Sequence, residues 1–385
     1  MESAHRTERE PEPRRPARPP GTLRIAQIAG VDVFVRASWL LIAALISVLF
    51  APRIQDVAPG LGGLAYVAGL AFAVLLYLSV LLHELSHALA AKGFGMPVRS
   101  VTLHFLGGVT EIEGEPPTPW REFVVAVVGP LTSLALGGLA YLAIDPAPEG
   151  LLTFVVEGLA IANIVVGVLN LVPGLPLDGG RVLRAVVWWL TRRPHFATTV
   201  AGWSGRVVAI LALVTPMLLG AFTSIEPQLF DYFLAGVIGL FLWEGASQAL
   251  VGAKIRRKLP GLHARTIARR AIGVERDLPL AEAIRRAEAE QAGGIVVLET
   301  DGTPSGVVVE SAVSATPEER RPWVNVGAVS RPVKPGLLLE ADLSGEELLL
   351  AMQATPSSEY VLVEPDGQIY GVLATADVDA AFAAV

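Results

Sequence analysis

From Leu64 to Leu82 the chain is almost entirely apolar, and the same run then carries His83, Glu84 and His87 before it ends at Lys92. An apolar stretch of this length predicts a helix across a bilayer, because a helix satisfies its own backbone hydrogen bonds in hydrocarbon. Ionisable groups inside such a helix are costly to keep, so three together mark a functional site. The pattern His-Glu-x-x-His puts both imidazoles one turn apart on one helix face, within reach of a single zinc ion. Zinc accepts nitrogen and oxygen ligands in a tetrahedral set, and a catalytic site leaves one position for water. Glu84 is placed to take the proton from that water as a general base. The plainer alternative is a pair of buried structural histidines.

Composition agrees with a membrane setting. Of 385 residues, 52% are hydrophobic and 17% charged, and the mean hydropathy is +0.53. That profile belongs to an integral membrane protein rather than a soluble enzyme. There is no cysteine, so disulfides and thiolate ligands are excluded and any metal must use His, Asp or Glu. The net charge of −7 gives no basic surface for nucleic acid.

Residues 1–20, rich in Pro, Arg and Glu, predict a disordered tail. Partial alternation over residues 21–36 predicts a short strand or an entry segment against the membrane. The first span is expected over Ser38–Ala51, with Val33–Val35 helping to complete it, and the second over Gly62–Lys92. Gly93–Gly114 reads as a re-entrant or interfacial β-hairpin, since irregular backbone at depth must be covered by protein. Further spans are expected over Phe123–Ile144, Leu151–Leu171, Trp203–Phe222 and Leu229–Val251. The fourth ends in Asn170-Leu171-Val172-Pro173-Gly174-Leu175-Pro176-Leu177-Asp178-Gly179-Gly180, where prolines and glycines must unwind it. A polar, unwound stretch there predicts a cavity, followed by a short helix over Val182–Thr191.

Basic residues gather beside alternate spans: Arg24 and Arg36, then Lys92 and Arg99, then Arg181, Arg184, Arg192 and Arg193, then Lys254 to Lys258. The positive-inside rule puts both termini, the hairpin and Asp178 in the cytoplasm. Ala- and Arg-rich, lysine-poor usage suits a high-GC bacterium, in whose cell membrane the chain is expected. From Leu262 the composition turns soluble, with a helix, strand, turn, strand order over residues 280–309 and again over 344–373. This internal repeat predicts a paired module. The expected fold class is an α-helical polytopic membrane protein of about six spans with a re-entrant β-hairpin, then a soluble α+β tandem module.

Two histidines leave zinc short of a protein ligand. Asp178 is the acidic residue of the unwound segment and a candidate third ligand, with a helix N-cap as its alternative. His83-Glu84-Leu85-Ser86-His87 together with Asn170-Leu171-Val172-Pro173 and Asp178-Gly179 resembles the site-2 protease family of intramembrane zinc metalloproteases over residues 21–251. The resemblance implies one Zn2+ per chain on His83, His87 and Asp178, water activation by Glu84, and a substrate or oxyanion contact from Asn170. It also implies that the hairpin, with Gly107 and Gly108, pairs with an unwound substrate strand. His104 in that hairpin is either an approach to the metal or a surface residue.

The tail repeat resembles a pair of CBS domains, modules that often bind adenine nucleotides. Asp377 occupies the position of the nucleotide-binding aspartate, but Ala374 replaces the expected hydroxyl residue, and Ala312 replaces the aspartate in the first repeat. A folded regulatory or dimerising module is the alternative. The organisation expected is therefore a tail over 1–20, a metalloprotease domain over 21–258, and CBS domains over 262–321 and 322–385. The implied function is cleavage of a transmembrane segment of a membrane-anchored protein, such as an anti-sigma factor, in regulated intramembrane proteolysis. A CBS-regulated ion channel or transporter, with the same ionisable residues lining its path, is the alternative.

Overall fold

The computed structural model describes residues 21–105, 107–224 and 226–384; the expected tail over residues 1–20 lies outside them. The chain forms two compact units that divide between Val251 and Gly252.

The first unit opens with a hairpin, β1 (Thr22–Ile28) and β2 (Val31–Arg36), then α1 (Trp39–Val57) and α2 (Leu64–Gly93). The segment expected to complete the first span is therefore strand, and the helix gains its length at the other end, running past Pro52 to Val57. Strands β3 (Val98–His104) and β4 (Gly107–Ile112) follow. The sheet order is β1-β2-β3-β4, with β2 and β3 parallel and the hairpins antiparallel. The predicted hairpin is thus half of a four-stranded sheet, and β4 is one of its outer strands.

Four further helices complete the unit: α3 (Pro119–Leu142), α4 (Leu151–Asn170), α5 (Asp178–Thr191) and α6 (Pro194–Phe222). The last span, α7 (Leu229–Lys258), follows. Among the described residues, six helices are long and apolar enough to cross a membrane: α1, α2, α3, α4, α6 and α7. The protein is a multi-pass membrane protein. Each of these helices keeps most of its side chains outside the packed interior, as lipid-facing helices do. Small residues bring the helices together. A β-carbon at Gly69 of α2 would lie 2.9 Å from Ser47 Cα of α1, the close approach that van der Waals packing in lipid favours.

α5 is short and amphipathic, and it begins at Asp178 rather than Val182. The unwound segment before it is pinned to α6: Leu175 N–H donates to Ala201 O at 3.1 Å, and Ser204 donates to Pro173 O.

The second unit contains α8 (Ala264–Ile267), β5 (Arg269–Glu275), α9 (Leu280–Ala289), β6 (Gly294–Leu298), β7 (Pro304–Val308) and α10 (Glu310–Ala315). It continues with β8 (Ser330–Pro332), β9 (Leu338–Glu340), α11 (Gly345–Ala354), β10 (Glu359–Val363), β11 (Ile369–Ala374) and α12 (Thr375–Ala384). Its strand order is β8-β7-β6-β5-β11-β10-β9. β5 is parallel to β6 as β9 is to β10, and β6–β7 is a hairpin as β10–β11 is. The two turns are built alike: Thr303 N–H donates to Asp301 Oδ1 and Gln368 N–H to Asp366 Oδ1, both at 3.0 Å. The cross-strand pairs Val296–Val307 and Val361–Val372 meet in one buried cluster, so the repeats pack on equivalent faces. The tail is the α+β paired module that its repeat predicts, although periodicity missed the central strand β5 and the short strands β8 and β9.

Candidate metal centre

α2 buries His83, Glu84 and His87, each less than a tenth exposed. The four-residue spacing sets the two imidazoles on one face, and the loop before α5 delivers Asp178 to the same point. The His83 and His87 Nε2 atoms are 3.2 Å apart. Asp178 Oδ2 lies 3.1 Å from the first and 3.2 Å from the second. These three atoms form a nearly equilateral triangle. Ligands about 2.0–2.1 Å from a tetrahedral zinc ion stand roughly 3.3 Å from one another. The triangle therefore has the dimensions of one face of such a site, and the donor set of two nitrogens and one oxygen suits zinc.

The imidazoles are held from behind by α3. His87 Nδ1–H donates to Val125 O at 2.5 Å, and His83 Nδ1 bonds Ser133 Oγ at 2.9 Å. A proton kept on Nδ1 leaves the Nε2 lone pair free, the tautomer a metal ligand needs. Between these two contacts sits Gly129, where a β-carbon would fall 2.2 Å from His87 Nε2 and 2.7 Å from His83 Nε2. Only glycine leaves room for both rings.

Glu84 faces the sheet. Thr110 Oγ1 donates to Glu84 Oε2 at 2.7 Å and also lies 3.0 Å from Glu84 O. Gly108 crosses directly over the acid, since a β-carbon there would be 2.3 Å from Glu84 Cγ. Gly107, at φ +136°, starts β4 in a backbone conformation that favours glycine. Asp178 is the first helical residue of α5, and Leu177 holds the N-cap position; its carboxylate turns to the histidines instead of capping the helix.

Other expected residues stand apart from the triangle. Asn170 is the half-buried last residue of α4, and among the described residues no hydrogen bond joins it to the cluster. His104 is half-buried on β3, where Tyr77 Oη–H donates to its carbonyl at 3.3 Å. Burial and the Arg36 cation hold the His104 imidazole below its ordinary value, against a smaller opposing pull from Glu84. In the second unit, Asp377 is gripped by Arg269, whose Nε and Nη2 donate to its two oxygens at 2.8 Å each.

Sequence reasoning missed Thr110, Gly129 and Ser133, which carry no motif and matter only through what they touch. It also counted Arg184 only among the charges that flank a span and gave it no partner. Its side chain is only 12% exposed and is paired with Glu122, which is wholly buried on α3.

The model of peptidase family M50 matches residues 71–147 and 145–214. The chain is 28% identical over 373 residues to sll0528 of Synechocystis, named as a candidate zinc metalloprotease; the match covers 92% of this chain and 94% of that one. The site-2 protease from Methanocaldococcus jannaschii is similar at TM-score 0.41 and 23% identity, over 60% of this chain and 95% of its own. The CBS domain of a bacterial CNNM/CorC family Mg2+ transporter is similar at TM-score 0.27 and 13% identity, over 38% of this chain and 94% of its own.

Proposed function

Because residues 71–214 belong to peptidase family M50, the site-2 protease family of zinc metalloendopeptidases, we propose that His83, His87 and Asp178 hold the zinc and that Glu84 moves the proton in hydrolysis of a substrate's transmembrane segment. The observation that carries this reading is the near-equilateral triangle of two imidazole nitrogens and one carboxylate oxygen, buried inside the helix bundle.

Zinc bound there would supply a Lewis acid that polarises a peptide carbonyl and lowers the pKa of water toward 7. The chain's own residues do the rest. Thr110 fixes one oxygen of Glu84, so the other is left to accept a proton and pass it to the departing amine. Val125 and Ser133 keep both imidazoles turned toward the ligand point. A transmembrane helix shields its peptide bonds with its own hydrogen bonds, so the substrate must unwind locally before cleavage. β4, an outer strand that runs over Glu84, offers the freed backbone new partners by strand addition. Gly107 and Gly108 keep that surface low. Asn170, at the end of α4, would contact the substrate backbone.

On this reading the protease domain spans residues 21–258, with Asp178 and the hairpin toward the cytoplasm, and the regulatory repeats span 262–321 and 322–385. The substrate would be a membrane-anchored protein such as an anti-sigma factor. The CBS pair would sense an adenine nucleotide through Asp377 or dimerise the chain. A nucleotide at Asp377 must first displace Arg269 from the carboxylate.

The test is zinc content of the detergent-purified chain, beside cleavage of a membrane-anchored reporter in liposomes. About one zinc per chain, with cleavage lost on chelation and restored by added zinc, supports the proposal. Wild-type protein that takes up no zinc overturns it.

A further inference from the structure

One face of α3 presents Glu122, Val125, Gly129 and Ser133 in succession, spaced so that they line up along the helix. Val125 and Ser133 orient the two imidazoles of α2, and Gly129 admits them. Glu122, one turn below Val125, touches a different helix. Its Oε1 accepts from Arg184 Nη1 of α5 at 2.7 Å. Arg184 also lies 3.5 Å from Glu115 and over the Trp188 ring. Asp178 is on the same helix, six residues earlier, about 9 Å along the axis.

α5 needs references outside α4, and the bonds that pin the segment before it to α6 supply one of them. The helix follows an unwound segment, so the course of α4 does not fix where its first residue falls. We propose that the Glu122–Arg184 ion pair is a positioning device for the metal site. It docks α5 on the same α3 face that aims the imidazoles, so all three ligand atoms are set from one ruler. This inference rests on the zinc reading above.

The form of the pair favours registry over stability. Glu122 is completely buried, yet its Oε2 and the Arg184 Nε are buried without a hydrogen-bond partner among the described residues. A buried pair joined by one good hydrogen bond is a poor way to stabilise a fold, since apolar side chains of similar volume do as well or better. Fixing one arrangement among several is the better attested use of such a pair.

The test exploits that difference in the full-length protein. Glu122→Leu with Arg184→Met replaces the pair by an apolar contact that keeps the packing. Zinc affinity is measured by chelator competition for wild type, this variant, Asp178→Ala, and the three substitutions combined. The apolar pair should weaken zinc binding by about 10- to 100-fold, while the thermal midpoint of the metal-free protein stays at or above wild type. Adding it to Asp178→Ala should weaken binding no further, because the ligand it positions is already gone. If the apolar pair misfolds, Glu122→Gln, which keeps shape and one acceptor, should still weaken zinc binding by about tenfold. Wild-type zinc affinity in the folded variant, or losses that add in full on top of Asp178→Ala, overturns the inference. Absence of zinc from wild type instead overturns the metal-site reading beneath it.

Discussion

Gly108 lies so close over Glu84 that a β-carbon on it would fall 2.3 Å from Glu84 Cγ and 3.1 Å from Oε1. The outer strand of the sheet therefore rests on the acid itself, with no side chain between them. A substrate strand added to β4 would be positioned by the same backbone that confines the proposed base.

Gly108→Ala should separate proton transfer from metal binding. The added methyl must push either the acid or the strand aside, and a displacement near 1 Å can cost about 100-fold in rate. Cleavage of the reporter is expected to fall by about that factor, with zinc content unchanged in the same preparation.

Thr110 holds one Glu84 oxygen through a 2.7 Å hydrogen bond. Thr110→Val keeps the shape and removes the donor, so kcat should fall by roughly tenfold, the scale of one charge-assisted hydrogen bond. Thr110→Ser should keep most of the activity. Equal kcat in the valine and serine variants would refute this role.

Glu84→Gln keeps the volume of the side chain but cannot take a proton. Turnover should drop by about 10²- to 10⁴-fold, the usual weight of a general base. The zinc-to-protein ratio should match wild type, because Glu84 is outside the ligand triangle. Cleavage at the wild-type rate would remove Glu84 from the mechanism.

Gly129→Ala places a methyl 2.2 Å from His87 Nε2. Both rings must turn from their bonds to Val125 and Ser133, and zinc affinity should fall by at least 10- to 100-fold. The helical circular dichroism signal should be unchanged, since alanine is the better helix former. Chelator competition reads the loss directly.

In the second unit, burial pushes the Glu359 carboxyl above its ordinary value of 4.5, and the nearby Arg331 cation only partly opposes this. The folded state thus holds this proton more tightly than the unfolded chain. Its contribution to stability is fully present below the unfolded value and is lost as pH rises through the folded one. Glu359→Gln should therefore raise the thermal midpoint at pH 7, with the gain shrinking as pH falls toward 4.5. A gain independent of pH would show that the carboxyl's ionisation is not its source.

Local pattern carried much of this protein. The length of the apolar runs and the His-Glu-x-x-His spacing are properties of consecutive residues, so six spans and two candidate ligand positions were legible before any coordinates. The tail repeat was legible for the same reason, because each half writes its own helix, turn and hairpin. The first span begins at Trp39, next to its expected start at Ser38; what failed was the use of Val33–Val35 to complete it, although the alternation of Val31, Val33 and Val35 had already allowed a strand. Their alternation becomes decisive only when β3 pairs alongside. The partner of Arg184 was not legible, because a charge near a span end looks identical whether it meets water or a buried carboxylate.

The sequence by itself determined that a membrane-spanning helix would carry two imidazoles and an acid on one turn, since 3.6 residues per turn allows nothing else. It left Asp178 with two roles, ligand or cap, and left Glu84 without a neighbour. Tertiary structure gives each of them its neighbours. The unwound loop before α5 swings Asp178 to within 3.2 Å of each histidine, and β4 lays Thr110 and Gly108 across Glu84. These contacts join residues far apart in the chain, and no local periodicity records which distant helix or strand will pack against a given face.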